Sequence, residues 1–384
     1  MPLRPHQTDA LDAMATNMKG QIIVPTGGGK TMCMIEDAKR SGGTIVVVAP
    51  RILLAEQLSS EFLEQIDNVS VMHVHSGETP HYSSTKIEDI YFWHKHTRGN
   101  KIIFTTYHSL HRIKQSYAHI DTIYFDEAHN SVQRNFYPAT EHFATRDNSR
   151  CFFFTATPKH STTVEKPGMN NEKVYGKVII NVPAPKLVKE GHILPPKVII
   201  KKIDVVDDSR FGYEKDCDHL ISTIDDIDVN KILICARSTK QIVSLASLSD
   251  FCIQLKDRGY NWMYITSKTG AIINGKKVDR ESFFNTLNSW GKGNERFVVL
   301  HHSILSEGIN VSGLEAALFL RSMDYISISQ TIGRVIRKGS ESKTYGLVVV
   351  PSYDKVGITT SRKVEAVVDT VFNKGEAAVS VITK

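Results

Sequence analysis

Cysteine is scarce and poorly placed for pairing: Cys33, Cys151, Cys217, Cys235 and Cys252 are scattered along the chain and form no C-x-x-C spacing. An odd, unpaired set argues against a disulfide framework or a cysteine zinc module and points to a reducing interior. No stretch approaches the roughly 18 to 20 consecutive apolar residues of a membrane span. The opening Met1-Pro2-Leu3-Arg4-Pro5-His6 lacks the apolar region of a secretory signal. There is no repeat of fixed period and no low-complexity tract. What remains is a globular composition, 41% hydrophobic over 384 residues, with a formal charge of +6. That length exceeds one ordinary core and leads us to expect two domains. The mild positive charge permits a polyanionic partner without demanding one.

Apolar strand-like runs alternate with helical patterns, which predicts an α/β architecture with parallel sheets. In the first half the strand candidates are 22–24, 44–49, 69–74, 102–105, 122–125 and 151–155, with helices at 30–40 and 52–66. The second helix carries Leu53, Leu54, Leu58, Phe62 and Ile66 at helical spacing. A Pro-rich stretch, 183–196, breaks the rhythm and reads as a linker between a domain at 1–182 and another at 197–384. The second alternation places strands at 232–235, 262–265, 297–300, 317–320 and 346–350. Helices are expected at 239–257, 279–290, 327–337 and about 362–372.

Chemistry concentrates first at Pro25-Thr26-Gly27-Gly28-Gly29-Lys30-Thr31, directly after the apolar run Ile22-Ile23-Val24. A strand ending in a Gly-rich turn that opens into a helix gathers backbone N–H groups and a helix N-terminus around one point, which makes a phosphate cradle. Lys30 would reach the β- and γ-phosphates, and the Thr31 hydroxyl would hold Mg²⁺. Val24 occupies the place of the first glycine in the strict P-loop pattern, and the three glycines supply the backbone freedom instead. The second concentration is Asp126-Glu127-Ala128-His129 at the end of the apolar run Ile123-Tyr124-Phe125. Carboxylates at the carboxyl end of a strand sit where open α/β sheets bind ligands. Asp126 would share the Mg²⁺ with Thr31, and Glu127 would orient and deprotonate the attacking water. In the second half, Arg334 and Arg337 lie three apart on an expected helix with Gln330. They read either as an exposed surface pair or as arginine fingers that stabilise charge on a transferring phosphate.

These motifs, in this order over nearly the whole chain, resemble those of superfamily 2 helicase motors with a DEAH-type motif II. Leu3-Arg4-Pro5-His6-Gln7 is similar to the family's adenine-reading element, Pro25 to Thr31 to motif I, and Asp126 to His129 to motif II. Thr155-Ala156-Thr157-Pro158 is similar to motif III, and Gln330 to Arg337 to motif VI. The resemblance implies two RecA-like domains, each a mostly parallel sheet flanked by helices, with ATP and Mg²⁺ held in the cleft between Lys30 and Arg337. It implies nucleotide contacts from Arg4, Gln7, the loop and Glu307, Gly308 and Asn310, and coupling of phosphate state to movement through His129, Thr155 and Thr157. Weaker matches include Pro50, Arg51 and Gln57 in motif Ia, Thr105, Thr106 and Tyr107 in motif Ib, and Arg237 and Ser238 in motif IV. Motif V would run from Ser303 through Glu307 and Gly308 to Asn310. Their hydroxyls, backbone N–H groups and guanidiniums suit phosphodiester contacts that carry no base information, so they are expected to line a single-strand track.

The implied activity is ATP-driven movement along single-stranded, tailed or forked DNA, with unwinding in the 3′ to 5′ direction. The Thr-Ala-Thr-Pro form of motif III favours DNA-type motors over the RNA-dedicated branch with its Ser-Ala-Thr form. RNA unwinding, branch migration, or service as a motor subunit of a nuclease assembly remain the alternatives. A monomer in the cytoplasm of a bacterium or phage-infected cell is expected. Because the first motif begins at residue three, a near-minimal motor is also expected, with the strand-splitting wedge supplied by a partner or by loops at 76–100 or 320–328. Asn310 replaces the acidic residue frequent in motif V, which weakens its expected ribose contact. His73, His75, His81, His94 and His96 invite a metal reading, but no cysteine or carboxylate at matching sequence spacing supports it.

Overall fold

Runs of β-branched and aromatic residues such as Thr44–Ala49 and Arg150–Thr155 form fully or almost fully buried strands, as parallel sheets covered on both faces require. The computed structural model describes residues 2–146, 148–163, 165–202, 211–266, 268–302, 311, 313–339, 343–352 and 355–382. The chain divides into two compact units, Met1–Ala184 with Ala377–Lys384, and Pro185–Glu376.

In the first unit a seven-stranded sheet runs in the order Ser70–Val74, Lys101–Thr106, Thr44–Ala49, Thr122–Phe125, Arg150–Thr155, Lys19–Ile23, Val178–Asn181. Every neighbouring pair in it is parallel. The crossover after Lys19–Ile23 passes two strand positions, so Arg150–Thr155 lies between the strand that feeds the Gly-rich loop and the strand that ends at Asp126. The register sets Ile23 beside Thr155 and Phe125 beside Phe153, which brings three motif-bearing carboxyl ends to one edge. Stacked rings of Phe125 and Phe153, with centroids 4.7 Å apart, help fix that register.

The second unit contains an eight-stranded sheet in the order Lys276–Val278, Gly270–Ile273, Asn261–Thr266, Phe297–His301, Lys231–Cys235, Ala316–Phe319, Gly346–Ser352, Pro196–Lys202. Its last six strands pair in parallel, and the first two pairings are antiparallel. Both units are therefore α/β layers of the expected class.

Several details differ from expectation, each for a local reason. The stretch read as a linker contains the helix Ala184–Lys189, and its end, Pro196, opens an edge strand, a place where proline's missing N–H costs no ladder bond. Residues 377–384 belong with the first unit, because Ser380–Ile382 pairs in parallel with Lys159–Ser161. The single helix expected at 239–257 is two, Thr239–Leu248 and Phe251–Asp257. Ser249, extended at φ −126°, breaks it by bonding its hydroxyl to Leu245 O and accepting from Phe251 N–H. No hairpin forms at 320–328, where Asp324 instead caps the helix Tyr325–Val335 by accepting from Ser327 N–H at 2.7 Å. The stretch 76–100 contains the helix Ile87–His96, with Ile90 buried and Trp93 packed on the core.

Candidate functional site

The strand Lys19–Ile23 delivers the chain into the Gly-rich turn, and the helix Lys30–Ser41 leaves it. Gly27 and Gly29 adopt φ +84° and +85°, in the left-handed region that glycine enters without a Cβ clash. The helix Pro5–Ala15 fastens the turn from outside. Arg4 Nη1 donates to Gly27 O at 3.1 Å, His6 Nε2 to Gly28 O at 2.7 Å, and Gln7 Nε2 to Gly29 O at 3.2 Å. Three successive carbonyls are thus taken up on one side, which orients the peptide units of the turn, and the Gly28 N–H closes it by donating to Pro25 O at 2.9 Å.

Gln7, expected to read an adenine edge, serves first as a loop fastener. Its Oε1 accepts from Arg4 N–H at 2.8 Å, half of a capping box, and the side chain is buried. One amide hydrogen and one lone pair remain for any base. Arg4 is likewise engaged at Gly27. Pro25, Thr26 and Thr31 occupy the half-buried rim of the turn, with Gly28 buried beneath.

The acidic pair completes the site. Lys30 Nζ lies 3.6 Å from Glu127 Oε1, both side chains being 10% exposed. Glu127 holds φ +44°, rare for a residue with a Cβ, and backbone strain of this kind gathers at functional positions. Burial raises the pKa of Asp126, the adjacent Glu127 charge adds to the rise, and Lys30 opposes it. An aspartate whose anion the protein disfavours is the kind of group a divalent cation satisfies. With the Thr31 hydroxyl opening the helix, the residues fit a hard cation with oxygen ligands.

His129 ties this pair to the third strand end. Asn130 Nδ2 donates to His129 Nε2 at 3.3 Å, which leaves the ring proton on Nδ1. That atom lies 3.0 Å from Thr155 Oγ1, 3.5 Å from Thr157 Oγ1 and 3.6 Å from Glu127 Oε2. Thr155 Oγ1 also accepts from Thr157 N–H at 3.0 Å, so the hydroxyls and the imidazole form one buried network.

Sequence reasoning missed the clamp beneath. Asp37, on the helix that follows the loop, accepts from Arg150 at 2.8 and 3.0 Å and from Tyr124 OH at 2.6 Å. It locks that helix to the strands that end at the acidic pair and at Thr155. A buried aspartate in mid-helix was its only signal.

Other expected residues lie elsewhere. Thr105, Thr106 and Tyr107 are buried. Thr105 Oγ1 donates to Val74 O, and Tyr107 OH donates to Asp126 O at 2.8 Å, so this segment props the acidic loop from within. Pro50 is buried, Arg51 is exposed at the start of Ile52–Leu63, and Gln57 bonds Glu61 at 2.7 Å.

In the second unit, Ser238 caps its helix by accepting from Gln241 N–H, and Arg237 bonds Leu320 O and Asp216. Gln330 and Arg334 are buried on Tyr325–Val335, while Arg337 lies beyond that helix, so the two arginines do not share a helical face as expected. Lys343 donates to Val335 O and Arg337 O and so ties down the turn that carries Arg337. Ser303, Glu307, Gly308 and Asn310 lie outside the described residues.

Residues 1–160 match the family described as "Type III restriction enzyme, res subunit". No curated protein sequence matches the chain closely enough to count as a relative. Among solved structures, the chain is similar over its full length to the ATP-dependent Type ISP restriction-modification enzyme LlaBIII bound to DNA, at TM-score 0.75 and 17% identity. It spans 31% of that enzyme's length. It is also similar to S. cerevisiae Dbp5 bound to RNA and ADP BeF3, at TM-score 0.62 and 14% identity, covering 98% of this chain and 89% of that one. A putative HsdR subunit of a type I restriction enzyme from Vibrio vulnificus YJ016 follows at TM-score 0.61 and 14% identity, covering 99% of this chain and 68% of that one. Among the described residues no helix is long and apolar enough to cross a membrane. Residues 1–160 are thus similar to the Res-subunit family, and the chain shares its α/β fold with these solved structures.

Proposed function

We propose that this chain is a nucleic-acid-stimulated Mg-ATP hydrolase that drives translocation on DNA. The observation that carries the reading is the Lys30–Glu127 approach at 3.6 Å, beside a glycine turn whose three carbonyls are taken up from behind. In the proposed roles Lys30 and backbone amides of the Gly-rich turn bind the β- and γ-phosphates, and Thr31 and Asp126 hold Mg²⁺. Glu127 positions the attacking water and takes its proton, while His129 passes the state of that site to Thr155 and Thr157. Gln330, Arg334 and Arg337 are assigned to charge stabilisation on the γ-phosphate, and Arg51 to the DNA backbone.

The test is ATPase rate with single-stranded DNA, duplex, forks and RNA, followed by unwinding of 3′- and 5′-tailed duplexes. Stimulation by DNA above RNA and unwinding from a 3′ tail support the reading. An ATPase indifferent to every nucleic acid sinks it. A second reading, a motor part of a larger DNA-processing enzyme that unwinds nothing alone, is favoured by the Res-type match and by the chain spanning a third of its restriction-modification neighbour. Triplex displacement without strand separation would select it.

A further inference from the structure

The histidines that the motor reading leaves unexplained converge on a carboxylate from a different element. Glu56 stands on the helix Ile52–Leu63, and His73 and His75 stand on and just after the strand Ser70–Val74. His73 Nδ1 lies 3.0 Å from Glu56 Oε1, His75 Nε2 lies 2.9 Å from the same oxygen, and the two nitrogens are 3.0 Å apart. Both rings are buried, and the glutamate side chain is 23% exposed, so the triangle has one side toward solvent.

Hydrogen bonds alone do not satisfy this triangle. His75 Nδ1 accepts from Gly77 N–H at 3.2 Å, which puts the His75 proton on Nε2 and directs it to His73 Nδ1. The His73 proton then sits on Nε2, 3.0 Å from Ser59 Oγ. Glu56 Oε1 is left against the lone pair of His73 Nδ1. It is a buried oxygen to which, among the described residues, nothing donates with hydrogen-bonding geometry.

We infer that Glu56 Oε1, His73 Nδ1 and His75 Nε2 bind a divalent transition-metal ion of the zinc class. Bonds of about 2.0–2.1 Å at angles of about 90–109° put neighbouring ligand atoms about 2.9–3.4 Å apart, as they are here. The surroundings are those of a supported site. Ser59 Oγ receives the His73 Nε2 proton, Thr79 Oγ1 donates to Glu56 Oε2 at 3.0 Å, and the His81 ring stacks on His73. Binding moves the His75 proton to Nδ1, so the Gly77 N–H contact opens and the 76–82 loop adjusts. The ion clips the helix that begins beside Arg51 to the sheet, and a water completes the coordination from the open side.

The experiment uses the tag-free, chelator-treated full chain, titrated with Zn²⁺ by calorimetry, with Co²⁺ absorption as a second readout. One Zn²⁺ per chain is expected, with a rise in thermal midpoint and Co²⁺ bands in the visible. Glu56→Gln and His75→Gln should each weaken binding roughly 100-fold, and Ser59→Ala roughly 10-fold, with far-UV circular dichroism unchanged. Excess Mg²⁺ should not compete. Absence of stoichiometric binding overturns the inference, as does Zn²⁺ affinity that survives both ligand substitutions. Because Glu56→Gln is nearly isosteric, a loss of stability that is the same with and without Zn²⁺ would instead identify a hydrogen-bonded triad and also overturn it.

Discussion

Gly29→Ala tests whether the loop works through its backbone. A Cβ at Gly29 would lie 2.4 Å from Gln7 Nε2, and the residue sits at φ +85°. Two costs follow. The left-handed backbone costs an alanine about 1–2 kcal/mol. Displacing Gln7 gives up a neutral hydrogen bond worth about 1 kcal/mol. The core beneath is untouched, so the loop can relax without unfolding the unit, and the cost should fall on nucleotide binding rather than on thermal stability. A total of about 2–3 kcal/mol corresponds to roughly 30- to 150-fold weaker ATP binding. Gln7→Ala alone removes the bond to Gly29 O together with the capping bond from Arg4 N–H, and the first loss should weaken binding about 5-fold. In the double variant the Cβ meets no amide, so the two effects should fall short of additivity by about 1 kcal/mol. Fluorescent-nucleotide titration of the four proteins measures all of this. If Gly29→Ala binds ATP like the parent, or if the two substitutions are additive, the loop is not held from behind as argued.

Three further outcomes are expected. Glu127→Gln should keep ATP binding and lose at least about 100-fold in turnover, whereas Lys30→Ala should lose binding as well; preserved hydrolysis in either would remove the assigned role. Asp126→Asn should stabilise the nucleotide-free protein at neutral pH. The raised pKa means that the folded-state penalty is absent below the unfolded value of 3.8 and grows as pH rises past it, so the variant should lack this downward slope in denaturation curves, and an unchanged slope would contradict the burial argument. Arg150→Met leaves the Asp37 carboxylate, 4% exposed, without its cation. Such losses cost about 3–5 kcal/mol, which should lower the first unit's melting midpoint by about 6–20 °C in calorimetry, and a shift under 2 °C would place the pair among weak surface bridges.

What could be read from the sequence was whatever lies within a few residues of itself. A strand, a glycine turn and a helix are consecutive, and so are Asp126, Glu127 and His129, so their joint chemistry is visible without a fold. The carboxyl ends of Lys19–Ile23 and Thr122–Phe125 come to the same edge because Arg150–Thr155 pairs with both. That pairing is long-range, but alternation of apolar runs already implies a parallel sheet in which carboxyl ends share an edge. Tyr107 shows the limit of reading by motif. Its neighbours look like a hydroxyl-rich contact loop, yet its ring is part of the core and its hydroxyl holds Asp126 O. A motif records which residues occur together and not which way they face.

The clamp and the histidine triangle were hidden for a different reason. Asp37 and Arg150 are 113 positions apart, and Glu56 is separated from His73 by an intervening helix end, turn and strand start. Neither grouping has a spacing that could be recognised, because each is made by the packing of a helix on the sheet rather than by one turn of chain. The metal reading failed on the sequence for want of a carboxylate at a familiar interval. The carboxylate was present on Ile52–Leu63, and packing of this helix over the sheet sets it against His73 and His75, which stand at i and i+2 on and just beyond a strand and so point to one face. That shared face lets both imidazoles reach one oxygen of the helix packed over it. A histidine pair at i and i+2 at a strand end is therefore a same-face pair, and the helix packed over that face is the place to look for its missing partner.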